Sequence, residues 1–269
     1  MIIAITGASG YIGKHIESML KNLGHNIISI SRNHDAHSKT KIYSYQELFS
    51  GKIHSRIDCF IHLASPNYDY SKDNSLELGI TKLTEDILFS LKYYKCKKII
   101  FFSSAKVYGE PSLNQISFKE DMNLCPITDY GKEKEKAEKI IKTFSESNDV
   151  DYLIYRLPMV YGKNMNSNVA KLFKIIDKSI PFLYFKGTNP LKKSFLSISN
   201  IKKIIHYNIE NTKSVNNNIY NISDNMPLSL NEFLEIYRKT TNSKSLLIKL
   251  PYIFFKILLK IPILKRILI

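Results

Sequence analysis

The stretch that most constrains the fold is residues 2–13, where apolar residues lead into three glycines spaced three apart and then into helical spacing. This order is typical of a strand, a tight turn and a helix. The first glycine permits the turn, the second lets the backbone approach a phosphate, and the third lets the helix pack on the strand. The helix start then faces an anionic diphosphate. The candidate contacts to such a dinucleotide are Gly7, Ser9, Gly10, Tyr11, Ile12 and Gly13. The alternative is a purely structural turn.

The tip of the second predicted strand, residues 25–32, indicates which dinucleotide is bound. An acidic residue at this position holds the ribose 2′-hydroxyl of NAD, whereas an arginine accommodates the 2′-phosphate of NADP. The chain has Ser31 and Arg32 here, and no carboxylate before Asp35. These residues favour NADP over NAD. The alternative is that Arg32 is a solvated turn residue.

Predicted strands alternate with predicted helices along the chain. The strands fall at about 2–6, 25–32, 41–45, 56–64, 97–104, 150–157, 194–198 and 219–222, and the helices at about 12–23, 46–49, 77–94, 130–144, 169–177, 200–210 and 229–240. The alternation predicts an α/β fold with a Rossmann-like, doubly wound parallel sheet and a smaller C-terminal substrate-binding region. The predicted domains are 1–157, which binds the dinucleotide, and 158–249, a mixed α/β substrate-binding region with strands that return to the main sheet. An apolar, basic tail follows at 250–269.

The candidate catalytic residues are Ser104, Tyr130 and Lys134. Ligands bind beyond the carboxyl ends of parallel strands, and Ser104 ends one of them. Tyr130 and Lys134 lie four apart, on one face of a predicted helix. A tyrosine pKa of about 10 is too high for a base at neutral pH, but the ammonium and an oxidised nicotinamide would lower it. Tyr130 then moves a proton, Ser104 orients the substrate oxygen, and Lys134 holds the ribose. The alternative is a surface tyrosine beside a solvated lysine.

Several motifs, taken in order, resemble the extended short-chain dehydrogenase/reductase family, in its branch of NAD(P)-dependent nucleotide-sugar epimerases, dehydratases and reductases. The matching segments are Thr6–Gly13, His62–Ala64, Ser103–Gly109, Tyr130–Glu138, Arg156–Gly162, Ser194–Asn200 and Tyr220–Ser223. The resemblance covers about residues 1–240. It implies an enzyme that acts on a nucleotide-activated sugar in polysaccharide biosynthesis and that pairs as a homodimer. A non-catalytic cofactor-binding sensor or scaffold on the same fold stays open.

The resemblance also implies further cofactor contacts. These are His62, Leu63, Ala64, Ser103, Tyr130, Lys134, Leu157, Pro158 and Val160. Family dehydratases carry an Asp-Glu pair after the catalytic Ser/Thr, whereas this chain has Ala105 and Lys106. Dehydration is therefore disfavoured, and a 4-keto-sugar reductase or a 4-epimerase of the UDP-sugar type is expected. Where the family often has an Asn one turn before Thr84, this chain has Ile80.

Candidate substrate contacts are Ser104, Lys106, Tyr130, Asn168 and Lys193, with Lys192, Tyr161 and Lys163 as weaker choices. Lys193 would meet the substrate diphosphate; the alternative is a solvated lysine pair. The family's C-terminal sugar-binding segment is largely missing, and the apolar tail stands in its place. The resemblance therefore implies an altered pocket, or one completed by another subunit.

Charge and cysteine content indicate the cellular compartment and the classes of binding partner. The net charge is +15, yet nucleic-acid readers cluster arginine, and this chain has five scattered arginines, so nucleic-acid binding is not expected. Its three cysteines show neither metal nor disulfide spacing, which predicts a reducing cytoplasm and no metal site. Because the first strand begins at residue 2, no signal peptide is expected.

The tail, residues 250–269, is nearly all apolar but carries four cations and two prolines. Pro262 interrupts a spanning helix and the cations make spanning costly, so a membrane span is disfavoured. Two alternatives stay open: peripheral contact with a membrane surface, or docking on the body or on a second subunit.

Overall fold

The structure is a computed structural model that describes residues 1–32, 42–65, 79–110, 117–165, 168–185, 192–211 and 217–250. Its helices are α1 (Tyr11–Asn22), α2 (Tyr45–Phe49), α3 (Ile80–Leu91), α4 (Asp129–Asn148), α5 (Asn168–Asp177), α6 (Ile198–Glu210) and α7 (Leu230–Thr240). Its strands are β1 (Ile2–Thr6), β2 (Asn26–Ile30), β3 (Ile42–Tyr43), β4 (Cys59–His62), β5 (Lys98–Ser104), β6 (Asp151–Leu157), β7 (Met159–Tyr161), β8 (Phe182–Phe185), β9 (Phe195–Ser197), β10 (Asn218–Asn221) and β11 (Leu247–Leu250). One 3-10 turn, Ala105–Tyr108, follows β5.

Seven strands form one parallel sheet in the order β10-β6-β5-β4-β1-β2-β3. The predicted Rossmann-like parallel sheet is therefore confirmed. The strand order reverses between β1 and β4, and ligands of such sheets bind beyond the carboxyl ends of the strands at this switch point. Thr6, His62 and Ser104 lie at those ends.

Helices cover both faces of the sheet. Neighbouring residues of a strand point to opposite faces and therefore pack in different cores. Ile3 and Ile5 pack in one core with residues of α1 and α6. Ala4, between them, packs in the other core with residues of α2, α3 and α4. The strands therefore show the continuous apolar runs that a sheet buried on both faces requires.

The chain divides into two compact units. Unit 1 comprises residues 1–160 and 196–223, and unit 2 comprises 161–195 and 224–269. Unit 1 contains the main sheet, including β10, which pairs with β6 although it belongs to the region assigned from sequence to substrate binding. Unit 2 pairs β8 with β11. The substrate-binding role of residues 158–249 remains a prediction.

Several short elements were not predicted: β7, β8, β11 and the 3-10 turn. β8 and β11 pair with each other across more than sixty residues of sequence, and neither has the two-residue alternation that marks a strand locally. Among the described residues, no helix is both long enough and apolar enough to cross a membrane. The tail beyond residue 250 lies outside the described residues.

Candidate active site

The backbone conformation and close packing of the loop between β1 and α1 require glycine at Gly7 and Gly13. Gly7 has φ +72, and a Cβ on it would lie 2.9 Å from the Ala64 nitrogen. Gly10 donates its backbone N–H to the Gly7 carbonyl at 2.9 Å and begins α1 without a side-chain cap. A Cβ on Gly13 would lie only 2.2 Å from the Gly7 oxygen. The loop and the open start of α1 therefore suit a bound diphosphate, as the glycine spacing predicts.

The other predicted loop contacts differ in exposure. Ser9 and Ser31 pair through their hydroxyls, whose oxygens are 3.2 Å apart, and Ser31 is buried at the tip of β2. Arg32 follows with an exposed side chain. Tyr11 and Ile12 are half-buried in the first turn of α1. Only Arg32 among these offers a charge at the tip of β2.

His62 connects the end of β1, which precedes the glycine loop, to α3. Its Nδ1 lies 2.9 Å from Thr6 Oγ1 and its Nε2 lies 3.1 Å from Thr84 Oγ1. The Thr84 hydroxyl donates to the Ile80 carbonyl at 2.7 Å, so His62 Nε2 must be the donor to Thr84 and Nδ1 the acceptor from Thr6. Burial, with a smaller contribution from nearby Lys134, lowers the pKa of His62 to about 3.

Both nitrogens of the buried, neutral His62 ring are bonded within the protein, so its side chain can position the loop. The expected contact of His62 with the cofactor remains a prediction. Its neighbours in the motif are placed differently. Leu63 donates its backbone N–H to Thr6 at 3.3 Å, and Ala64 lies against Gly7. Their backbones line the underside of the loop.

Tyr130 lies in the first turn of α4, which Thr128 caps by accepting from the Gly131 N–H at 3.1 Å. A Cβ on Gly131 would be 2.6 Å from the Lys106 carbonyl oxygen, so this glycine lets α4 approach the 3-10 turn. Burial raises the pKa of Tyr130, and the nearby Ser65 and Ser104 hydroxyls oppose the rise. The structure thus brings Ser104 and Tyr130 together.

Ser65 is a site residue that the sequence analysis missed. Its Oγ is buried and has no hydrogen-bond partner of ordinary geometry within the described part of the chain. Its influence on the pKa of Tyr130 indicates that it lies near the phenol, three residues after the end of β4. In the sequence, Ser65 directly follows the His62–Ala64 motif. No spacing rule identifies a serine at this position as a site residue.

Lys134 is buried, with 1% of its surface exposed, and its Nζ donates to the Phe102 carbonyl at 2.7 Å. The Nζ lies 4.6 Å from the centre of the Phe101 ring and 5.9 Å from that of Tyr130. Burial lowers the pKa of Lys134 to about 7, and the nearby Glu138 carboxylate opposes this. At neutral pH the side chain can therefore both hold and release a proton.

The expectation that the Lys134 ammonium lowers the pKa of Tyr130 is wrong for the protein by itself. The pKa of Tyr130 is raised, and burial is the largest cause. The amine is also bonded to the end of β5 rather than to the phenol. The further lowering by an oxidised nicotinamide and the contact of Lys134 with a ribose remain predictions.

Ser103 is buried and donates its hydroxyl to Glu138 Oε1. Its expected contact with the cofactor remains a prediction. Leu157 is buried at the end of β6, Pro158 is half-buried, and Val160 packs against the core. The cofactor roles of these last three residues remain predictions.

The predicted substrate contacts fall in both units. Lys106 is exposed in the 3-10 turn of unit 1, two residues after Ser104. Asn168 begins α5 in unit 2. Lys193, also in unit 2, has an exposed side chain, and its backbone N–H donates to Leu228 at 2.8 Å. In the described ranges, no three His, Cys, Asp or Glu side chains are grouped to hold a metal.

Comparison with known proteins gives one family and several relatives. The family model described as "NAD dependent epimerase/dehydratase family" matches residues 3–223. A UDP-glucose 4-epimerase of Vibrio cholerae is 34% identical over 138 residues, which are 51% of this chain and 42% of that protein. A putative UDP-glucose 4-epimerase of Methanocaldococcus jannaschii is 26% identical over 259 residues, 88% of this chain and 81% of that protein. The match to the first relative thus spans less than half of its length.

Solved structures share the fold. The Thermus thermophilus UDP-glucose 4-epimerase in complex with NAD has a TM-score of 0.75 and 16% identity, covering 93% of this chain and 86% of that one. The Bacillus cereus UDP-glucuronic acid 4-epimerase in complex with UDP-glucuronic acid and NAD has a TM-score of 0.73 and 21% identity over the same shares. At these identities the likeness is one of fold.

Proposed function

Because the chain belongs to the NAD dependent epimerase/dehydratase family, we propose that it is an NAD(P)-dependent 4-epimerase of a UDP-sugar. The observation that carries the proposal is that Ser104, at the carboxyl end of β5, is close enough to the Tyr130 hydroxyl to affect its pKa, while Lys134 Nζ lies 5.9 Å from the centre of the Tyr130 ring. Relatives named as UDP-sugar 4-epimerases support this reaction. A reductase of 4-keto nucleotide sugars is the second candidate, favoured by Arg32, which suits NADP.

The residues of the loop fit a dinucleotide. Side chains larger than hydrogen cannot occupy Gly7 or Gly13, and the start of α1 is left open for an anionic diphosphate. A bound nicotinamide would supply hydride transfer at a sugar carbon. In the proposed reaction Tyr130 Oη accepts the proton of the substrate hydroxyl and later returns it, and Ser104 Oγ orients that oxygen. Lys134 would hold the ribose, and the positive charge of an oxidised nicotinamide would favour the phenolate.

The cofactor and the remaining partners are parts of the same proposal. Similar folds solved with NAD favour NAD, whereas Ser31 and Arg32 favour NADP. Fluorescence titration with NADH and NADPH separates them: if Arg32 meets a 2′-phosphate, Arg32→Ala weakens NADPH binding about tenfold or more and leaves NADH binding unchanged. Equal effects on both, or none, exclude that contact.

The substrate side is proposed from the resemblance and from the relatives. Lys106, Asn168 and Lys193 would contact the nucleotide sugar, and the product would serve polysaccharide biosynthesis in the cytoplasm. We propose a homodimer, and peripheral membrane contact through residues 250–269. Light scattering with the full chain tests the first, and vesicle flotation with and without that tail tests the second.

The deciding experiment uses the purified full chain with UDP-glucose, UDP-glucuronic acid, UDP-N-acetylglucosamine and UDP-arabinose. Chromatography of the 4-epimers should show interconversion of at least one sugar. Tyr130→Phe should reduce the rate by about 10²–10⁴-fold while keeping NADH binding, whereas Tyr93→Phe, an exposed tyrosine, should change neither.

Two outcomes contradict the epimerase proposal. Oxidation of NADPH by a 4-keto sugar nucleotide, without interconversion of any epimer, assigns the reductase instead. Cofactor binding with no turnover of any of these substrates favours a sensor or scaffold. Unchanged turnover in Tyr130→Phe removes the phenol from the mechanism.

A further inference from the structure

A buried ion pair lies directly behind the candidate catalytic residues. Arg156 of β6 donates Nε to Glu138 Oε1 at 3.1 Å and Nη2 to Oε2 at 2.7 Å, and each side chain is only 3% exposed. Such a pair rarely stabilises a fold more than apolar residues of the same volume would, because both charges must leave water. Its other contacts therefore indicate its role.

The pair holds both sides of Ser104. On one side, the Ser103 hydroxyl donates to Glu138 Oε1. On the other side, Arg156 Nη1 donates to the Tyr108 hydroxyl at 2.8 Å, at the end of the 3-10 turn that Ser104 begins. Ser104 thus lies between two residues that are both bonded to one buried ion pair.

The 3-10 turn is also fixed on its outer side. The Tyr108 hydroxyl donates to Asn221 Oδ1 of β10 at 2.8 Å, and the Tyr108 ring stacks on Phe118 with centres 4.7 Å apart. Arg156 Nη1 donates in addition to the Glu120 carbonyl at 3.1 Å. The Tyr108 hydroxyl therefore both accepts and donates, which leaves it one orientation.

Glu138 also lies one helical turn after Lys134, on the same face of α4. The groups around the Lys134 amine are the Phe102 carbonyl and Phe101 ring of β5, the Tyr130 ring of α4, and the neutral His62 of β4. Glu138 supplies the negative charge that opposes the loss of the proton from Lys134.

We propose that the Glu138–Arg156 pair is a positioning element of the site, which aligns Ser104 with Tyr130 and supplies the counter-charge of Lys134. The alignment rests on the proposed function of Ser104 and Tyr130. The counter-charge does not, because it is a property of the protein alone. The two parts therefore need separate measurements.

The counter-charge is tested by the titration of Lys134 in the protein without substrate, followed by NMR of lysine labelled with ¹³C at Cε. Lys134→Arg assigns the signal. Glu138→Gln should move the titration midpoint to lower pH by about one pH unit, because a neighbouring opposite charge is lost. Glu135→Gln, whose carboxylate pairs with Lys139 at 2.7 Å, should leave the midpoint unchanged. An unchanged midpoint in Glu138→Gln overturns this part.

Glu138→Gln leaves Arg156 buried without its partner, so it is paired with the double variant Glu138→Gln/Arg156→Gln, which removes both charges. The double variant should show a midpoint shift in the same direction. A midpoint that moves to higher pH, or stays in place, in the folded double variant also contradicts the counter-charge.

The alignment is tested with Arg156→Lys and Ser103→Ala, which keep the charge of each site. Both should lower kcat about tenfold or more, with the Lys134 midpoint and the NADH affinity unchanged. A merely structural pair would instead lower the melting temperature and leave kcat of the folded enzyme intact, which overturns the alignment. If the wild type interconverts no epimers, the proposed function fails, and the NMR experiment still decides the counter-charge.

Discussion

Gly131 is the residue at which a single added carbon should separate the two hydroxyls of the site. A Cβ there would lie 2.6 Å from the Lys106 carbonyl oxygen and 3.0 Å from Pro126 Cβ, and ordinary contact begins at 3.4 Å. Gly131→Ala must therefore push the start of α4 and the 3-10 turn apart by up to about 0.8 Å. Tyr130 lies in the first turn of α4, and Ser104 directly precedes the 3-10 turn.

The expected loss can be estimated from this displacement. A misplacement of about 1 Å in a catalytic group can cost about 100-fold in rate, so kcat should fall by about 10- to 100-fold. Alanine in a helix stabilises by about 1 kcal/mol relative to glycine, while the overpacking costs about 1–3 kcal/mol. The net change in unfolding free energy is therefore a loss of at most about 2 kcal/mol.

The assay compares epimer interconversion with urea unfolding for Gly131→Ala and for the matched control Gly24→Ala. Gly24 has φ +82 and nothing within 4 Å of an added Cβ, so the control costs about 1–2 kcal/mol of backbone strain and displaces no neighbour. Only Gly131→Ala should lose kcat. If it keeps the wild-type kcat, or if Gly24→Ala loses as much, the reasoning from this contact is refuted.

Three further perturbations follow from the same contacts. Gly13→Ala would place a Cβ 2.2 Å from the Gly7 oxygen, so NADH affinity, measured by fluorescence titration, should fall at least about tenfold; an unchanged affinity would contradict the loop assignment. Burial lowers the pKa of His62 to about 3, so the unfolded chain binds one more proton than the folded chain below about pH 6.5. The free energy of unfolding should therefore decrease as the pH is lowered from about 6.5 to about 3. His62→Gln should flatten this dependence in urea titrations. The pKa of Lys134 is lowered to about 7, so wild-type stability should rise as the pH increases from about 7 to 10. Lys134→Met should stabilise the fold by up to about 5 kcal/mol at pH 6, and this gain should shrink towards pH 10; a constant difference would refute the assigned cause.

Most elements of the fold could be predicted from local sequence patterns. The glycine spacing at Gly7, Gly10 and Gly13 and the apolar runs of β1, β4, β5 and β6 are local signals, and each leads to the element that the structure shows. The capping box at Ser229 and Glu232 likewise begins α7 as its sequence indicates. β8 and β11 were missed because each depends on a partner strand far away in sequence.

The site was predictable in its residue types but not in its contacts. Order along the chain identified Ser104, Tyr130 and Lys134 as one group. It could not show that Ser65 lies at the same phenol, since the end of β4 meets α4 only in the folded sheet. Nor could it show that the side chains of His62 and Ser103 are buried and bonded within the protein, because their burial depends on packing from both faces of the sheet.

The buried titratable groups of this edge are best understood together. His62 is held neutral, Lys134 is left close to its midpoint at neutral pH, and Glu138 is paired with Arg156. A core built only for stability would replace these groups with apolar side chains. Each is instead bonded to a segment that ends at the site: His62 to Thr6 before the glycine loop, Lys134 to Phe102, and Glu138 to Ser103. These bonds join β4 to β1 and α4 to β5. They therefore hold in place the ends of the elements that lead to the glycine loop, the phenol and the serine hydroxyl, as a reaction between a bound cofactor and these two hydroxyls would require.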